Sequence, residues 1–174
     1  MRFLILALLP LILLGPACPK AKPTDSAMAF LSQSFDNYKP IPKRHSCEGA
    51  NESPHLLWKN LPKNTQSLAL IVDDPDAVGG FVHWMIWNID PSAHELPANL
   101  SKNTFNQGLN SANQIGYTGP CPPSGQHHYY FRLYALDKKL SLANTVNKEQ
   151  LVAAMKGHIL GEAQIMGTFA KKAP

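Results

Sequence analysis

Three aspartates stand together at residues 73–76, and a histidine returns at position 83. The stretch "VDDPDAVGGFVHW" (72–84) follows an apolar run, "SLALI", so the acids lie at the mouth of a buried strand. A second stretch, "GYTGPCPPSGQHHYYF" (116–131), packs three glycines and three prolines ahead of His127, His128 and Tyr129. Glycines let backbone approach a ligand closely, and prolines stiffen the loop that carries it. Free amide N–H groups in such a loop, with imidazole donors, make a small anion site. Carboxylates repel an anion, so Asp74 and Asp76 are useful only behind the rings. A carboxylate that accepts from one imidazole nitrogen orients the ring and favours the imidazolium, leaving the other nitrogen to face a ligand. Tyr129 adds a neutral donor, and Pro75 fixes the turn bearing both acids. Each feature also has an ordinary structural reading. Asp-Pro-Asp makes turns, and a histidine at a strand start often serves packing alone. His127 and His128 alternate faces, so only one can look into a shared cleft.

The same residues admit a second chemistry. Two histidines and two aspartates can bind a metal or move protons. The chain lacks an HExxH helix, a CxxC pair and a nucleophile elbow, and Ser124, a loop residue, is the one nucleophile candidate near His127. The expectation is therefore a binding protein, with no catalytic residue, no metal and no cofactor. A hydrolase using the His/Asp pocket is the alternative, and an envelope interaction protein with a vestigial pocket is another.

Short β-like runs must position these groups: 67–72, 83–89 and 129–136, each rich in aromatic or aliphatic residues and bounded by turn formers. "SPHLLW" (53–58) reads as an edge strand. "NKEQLVAAMKGHIL" (147–160) reads as a helix, with Asn147 and Gln150 spaced as a capping box, an apolar stripe of Leu151, Val152, Met155 and Ile159, and Gly161 as its stop. A last strand spans 162–170. The expected fold is a mainly antiparallel β-sandwich with one late α-helix. Its 174 residues suit one domain. A net charge of +4 from scattered lysines gives no basic cluster, so no nucleic-acid partner is expected.

The start, "MRFLILALLPLILLGPAC", has one basic residue, a short apolar stretch and small residues before Cys18. It is shaped like an export signal over 1–17, and it resembles the bacterial lipoprotein signal, in which the cysteine after the cut carries lipid. Residues 18–33 read as a tether and 34–174 as the domain. The expected location is the periplasm or cell envelope of a bacterium, with membrane attachment only through lipid on Cys18. If Cys18 is lipidated, Cys47 and Cys121 remain as an even pair in an oxidising compartment, which makes a disulfide reasonable.

"DPDA" before a "HW" strand, then "GPCPPSGQHHY", with "CEGANESPHLLW" (47–58) as a third segment, resembles the phosphatidylethanolamine-binding protein family. This is the family of the Raf kinase inhibitor proteins. The resemblance covers about residues 34 to 170. It implies a large central sheet, a smaller sheet and peripheral helices, with a small pocket for phosphate and related anions. Carried onto this chain, the pocket residues are Asp74, Asp76, His83, the Gly119-Pro120-Cys121 backbone, His127 and Tyr129, with His128 facing elsewhere. The implied partners are a phosphate-containing small molecule or lipid head group, a kinase or protease target of inhibition, and a second copy in a homodimer. Val78 stands where the family usually has proline, Val82 where tryptophan is common, and the loop to His83 is short. These departures open one wall of the pocket and weaken transfer of a particular ligand.

Overall fold

A computed structural model describes residues 27–171. Strands β4 (Ser67–Asp74), β5 (Phe81–Ile89), β8 (Gln126–Leu136) and β9 (Ile159–Ala170) form the body of a six-stranded sheet. Two short strands, β2 (Lys39–Pro40) and β7 (Asn106–Gln107), complete it in the order β2-β9-β8-β4-β5-β7. A second sheet of three strands has the order β1-β3-β6, from β1 (Ala29–Ser32), β3 (Leu56–Lys59) and β6 (Glu95–Leu96). Pairing is antiparallel except between β2 and β9.

The unbroken apolar run of β4 follows from its place in the middle of the sheet, buried at every position. Leu68, Leu70 and Val72 face the smaller sheet and pack with Trp58, Trp84, Ile86, Phe131 and Leu133. Ala69 and Ile71 face the other way and meet Met85, Trp87, Leu151 and Met155 beneath helix α1 (Lys148–Met155). Strand periodicity of two thus feeds two cores from one strand. Each fully buried large side chain contributes about 1.5–3 kcal/mol.

Three expectations are corrected. β3 lies between β1 and β6 rather than at an edge. Part of the segment read as a tether is strand β1, because Phe30 is buried and pairs with Trp58; the run "AFLS" is too short to signal a strand by itself. The helix does begin at Asn147, which accepts from Gln150 N–H while Gln150 Oε1 accepts from Asn147 N–H, both at 3.0 Å. It ends at Met155, well short of residue 160. Gly157 takes φ 81°, Ile159 opens β9 opposite Leu136, and Gly161 lies within that strand. Sheet pairing claims Ile159 despite its helical spacing. The 1–17 leader, Cys18 and the tether up to residue 26 lie outside the described residues.

Candidate functional site

The ends of β4, β5 and β8 meet the 116–125 loop around a cavity of about 210 Å³. Asp74, Phe81, His83, Gly119, His127 and Tyr129 line it, with Ala77, Thr118, Cys121, Pro122 and Pro123. On β8, alternation sends His127 and Tyr129 to one face. On β5 it does not suffice. Val72 pairs with Trp84 and Asp73 with Val82, so His83 is an extra residue opposite no partner. That bulge lets His83 line the cavity with Phe81 while Trp84 packs into the core on the same side of the sheet and Val82 packs toward α1.

The three acids have three jobs. Asp73 is buried on the α1 face and pairs with both Arg132 and Lys148, pinning the first residue of the helix to the sheet. Asp74 is buried at the cavity. Its Oδ2 accepts from His127 Nδ1–H at 2.7 Å, and its Oδ1 accepts from the N–H groups of Asp76 at 2.8 Å and Ala77 at 3.2 Å. Asp76 sits outside the cavity lining. Its Oδ2 accepts from the N–H and the Nδ1–H of His128, and this bonding holds the Asp76 carboxyl below its ordinary range.

His83 is oriented by backbone. Its Nδ1–H donates to the Thr118 carbonyl at 2.6 Å, and its ring meets that of Tyr129 edge-on with centroids 5.1 Å apart. Burial pushes the His83 pKa down, outweighing the Thr118 bond and the nearby carboxylates. Burial, with Asp74 nearby, pushes the Tyr129 hydroxyl up, so it stays a protonated donor. That hydroxyl is buried and lies within reach of the Asp74 carboxylate without being well aligned to it.

The loop wall is tied down from behind. Cys47 and Cys121 form a disulfide with Cα atoms 5.4 Å apart, close enough for the geometry such a bridge needs. Cys47 N–H donates to the Pro120 carbonyl at 3.1 Å, so Pro120 braces the wall from outside the lining. Gly119 N–H, expected to meet an anion, instead donates to Asn51 Oδ1 at 2.7 Å. Tyr117 Oη donates to the His45 carbonyl at 2.7 Å. Gly119 has no room for a side chain, because a Cβ would fall 2.3 Å from the His45 carbonyl oxygen and 2.7 Å from Asn51 Oδ1. Gly119→Ala should therefore shift the wall and destabilise the fold by about 1–3 kcal/mol, read from a chemical denaturation midpoint; an unchanged midpoint would count against this packing.

Of the residues singled out in the sequence, Asp74, His83, Gly119, Cys121, His127 and Tyr129 converge on the cavity, whereas Asp76 and Pro120 stand beside it. Phe81, Thr118 and Asn51 were not anticipated. Thr118 acts through its carbonyl, which carries no side-chain signal. Asn51 adopts φ 57°, a conformation asparagine tolerates, and it reaches a loop 68 residues away. Among the described residues, no group of three or more His, Cys, Asp or Glu side chains is arranged to hold a metal ion.

Comparison with known proteins agrees with this architecture. The family model described as phosphatidylethanolamine-binding protein matches residues 31–170. A UPF0098 protein of Chlamydia trachomatis is 45% identical over 150 residues, covering 83% of this chain and 99% of the relative. A UPF0098 protein of Methanothermobacter thermautotrophicus is 43% identical, with the same coverage of 83% and 99%. The crystal structure of a Chlamydia trachomatis homologue of phosphatidylethanolamine-binding protein superposes with TM-score 0.80 at 45% identity, over 84% of this chain and 99% of that one. Escherichia coli YbcL, described as a new member of the mammalian family, superposes with TM-score 0.77 at 27% identity, over 84% and 100%. With its two-sheet fold, its residue pattern and these matches together, the chain belongs to the phosphatidylethanolamine-binding protein family.

Proposed function

We propose that this chain is a non-enzymatic binding protein whose cavity takes a phosphate group, free or on a lipid head group. The observation that carries this reading is the buried Tyr129 hydroxyl, left without a well-aligned protein partner beside two imidazoles. The acceptor within that hydroxyl's reach is the Asp74 carboxylate, already taken by His127 Nδ1–H and two backbone N–H groups, so a ligand oxygen can offer the hydroxyl a better-aligned bond. The volume of about 210 Å³ suits a head group rather than a whole lipid. The braced loop favours binding because little ordering is required. A hydrolase is less well supported: Ser124, the nucleophile candidate in the sequence, is outside the lining. The leader supports export to the periplasm or cell envelope, with attachment through lipid on Cys18. A kinase or protease target, and pairing into a homodimer, are carried by the family resemblance alone.

Titration calorimetry with inorganic phosphate and phosphoethanolamine tests the site. Binding should tighten as pH falls from about 7.5 to about 6, because a phosphate group takes up its second proton near this range and so presents less bare charge to Asp74. His127→Ala should weaken it by roughly tenfold or more, because it removes a polar group from the cavity wall and leaves Asp74 Oδ2 without its partner. No heat from either ligand at any pH in that range would favour a vestigial pocket. Phosphoester turnover lost on chelation would favour the enzyme.

A further inference from the structure

Both imidazoles at the cavity have already committed a nitrogen. His83 Nδ1 lies 2.6 Å from the Thr118 carbonyl, and His127 Nδ1 lies 2.7 Å from Asp74 Oδ2. Carbonyl and carboxylate oxygens only accept, so both Nδ1 atoms carry the hydrogen. A neutral imidazole has one N–H, so each neutral ring offers Nε2 as an acceptor. Neither Nε2 has a hydrogen-bond partner among the described residues.

The groups facing His83 decide whether it can become a donor. Asp73 and Asp74 approach from β4, and both favour the imidazolium. His127 from β8 opposes it, Tyr129 supplies a ring edge, and Phe81 on the same strand packs a tilted ring with its centroid 4.7 Å away. Desolvation exceeds the carboxylate contribution, so the ring is neutral at neutral pH. The Gly119 N–H is spent on Asn51 and adds no donor. A fully ionised phosphate would press a bare oxygen against the His83 lone pair, beside Asp74.

We propose that the cavity selects the monoanion of a phosphate monoester, its P–OH donating to His83 Nε2 while an unprotonated oxygen accepts from the Tyr129 hydroxyl. This rests on the phosphate-binding reading above and narrows it to free phosphate and monoesters, because the phosphodiester of an intact lipid head group has no P–OH; it adds which protonation state is bound and which residue reads it. His83 is then a specificity-determining residue that recognises the ligand's proton.

Three small ligands test this on the unaltered protein by titration calorimetry. Methyl phosphate has a second ionisation near pH 6, taking phosphorylated side chains as the guide, about 6. Methylphosphonate is a weaker acid, so its monoanion persists to higher pH. Methyl sulfate matches the methyl phosphate monoanion in shape and charge but has no hydroxyl at any pH. At about pH 7, where His83, held below its ordinary range, is neutral and methylphosphonate is still mostly its monoanion, methylphosphonate should bind roughly tenfold or more tighter than methyl sulfate, the worth of one hydrogen bond to a charged group. Methyl phosphate should weaken as pH rises through its own ionisation, and the methylphosphonate curve should lie at higher pH. Equal affinities of methyl sulfate and methylphosphonate at about pH 7 would overturn the inference. So would a single midpoint shared by the two phosphorus ligands, since that would mark a protein group as the titrating one. Either result leaves phosphate binding itself intact, whereas no heat from any of the three removes both readings.

Discussion

Breaking the Cys47–Cys121 bridge should lower the melting temperature by roughly 8–16 °C. The two cysteines are 74 residues apart in sequence. In the chain-entropy account, a closed loop of that size restricts the unfolded chain by about 4 kcal/mol. A domain of this size loses about 2–4 °C per kcal/mol. Both cysteines are exposed, so a reductant can reach them without prior unfolding. The bridge also holds one cavity wall, since Cys121 lines the site and Cys47 N–H holds the neighbouring Pro120 carbonyl. Thermal melts with and without reductant, repeated on the Cys47→Ser/Cys121→Ser variant, read the effect. A shift below about 2 °C in both experiments would show that the covalent link adds little to a wall already held by hydrogen bonds.

The second large effect separates two neighbouring acids. Asp74→Ala should destabilise the fold by about 3 kcal/mol and weaken phosphate binding by tenfold or more. It removes the acceptor for His127 Nδ1–H and for two backbone N–H groups from a carboxylate that is only 3% exposed. Asp76→Ala removes a pair whose side chains are each 40% exposed, and should cost less than about 1 kcal/mol with little change in binding. Denaturant unfolding and calorimetry on the two variants check this. Equal losses at the two positions would mean that the His128–Asp76 pair belongs to the site after all.

How far these roles could be read in advance differs from element to element. The capping box at Asn147 and Gln150 is local chemistry, and it forms as read. The face of His127 and Tyr129 follows from alternation along β8, a regular strand in this stretch. The end of the helix was not legible, because Ile159 fits a helical stripe as well as a strand and only its partner Leu136 decides between them. β1 was hidden for a related reason: four residues carry too little periodicity, and the pairing of Phe30 with Trp58 makes the strand.

At the cavity the division is sharper. Residue types and spacing within single segments were enough to nominate the acids, the rings and the stiff loop, since side-chain direction inside one strand is a local property. Assigning the jobs required partners far away in the chain. A bulge defined by β4 turns His83 inward, Thr118 fixes its tautomer, and Asn51 consumes the Gly119 N–H. Arg132 and Lys148 claim Asp73, whereas His127 claims Asp74. Register and backbone hydrogen bonding between distant segments are collective results of packing, and no short window of residues carries them.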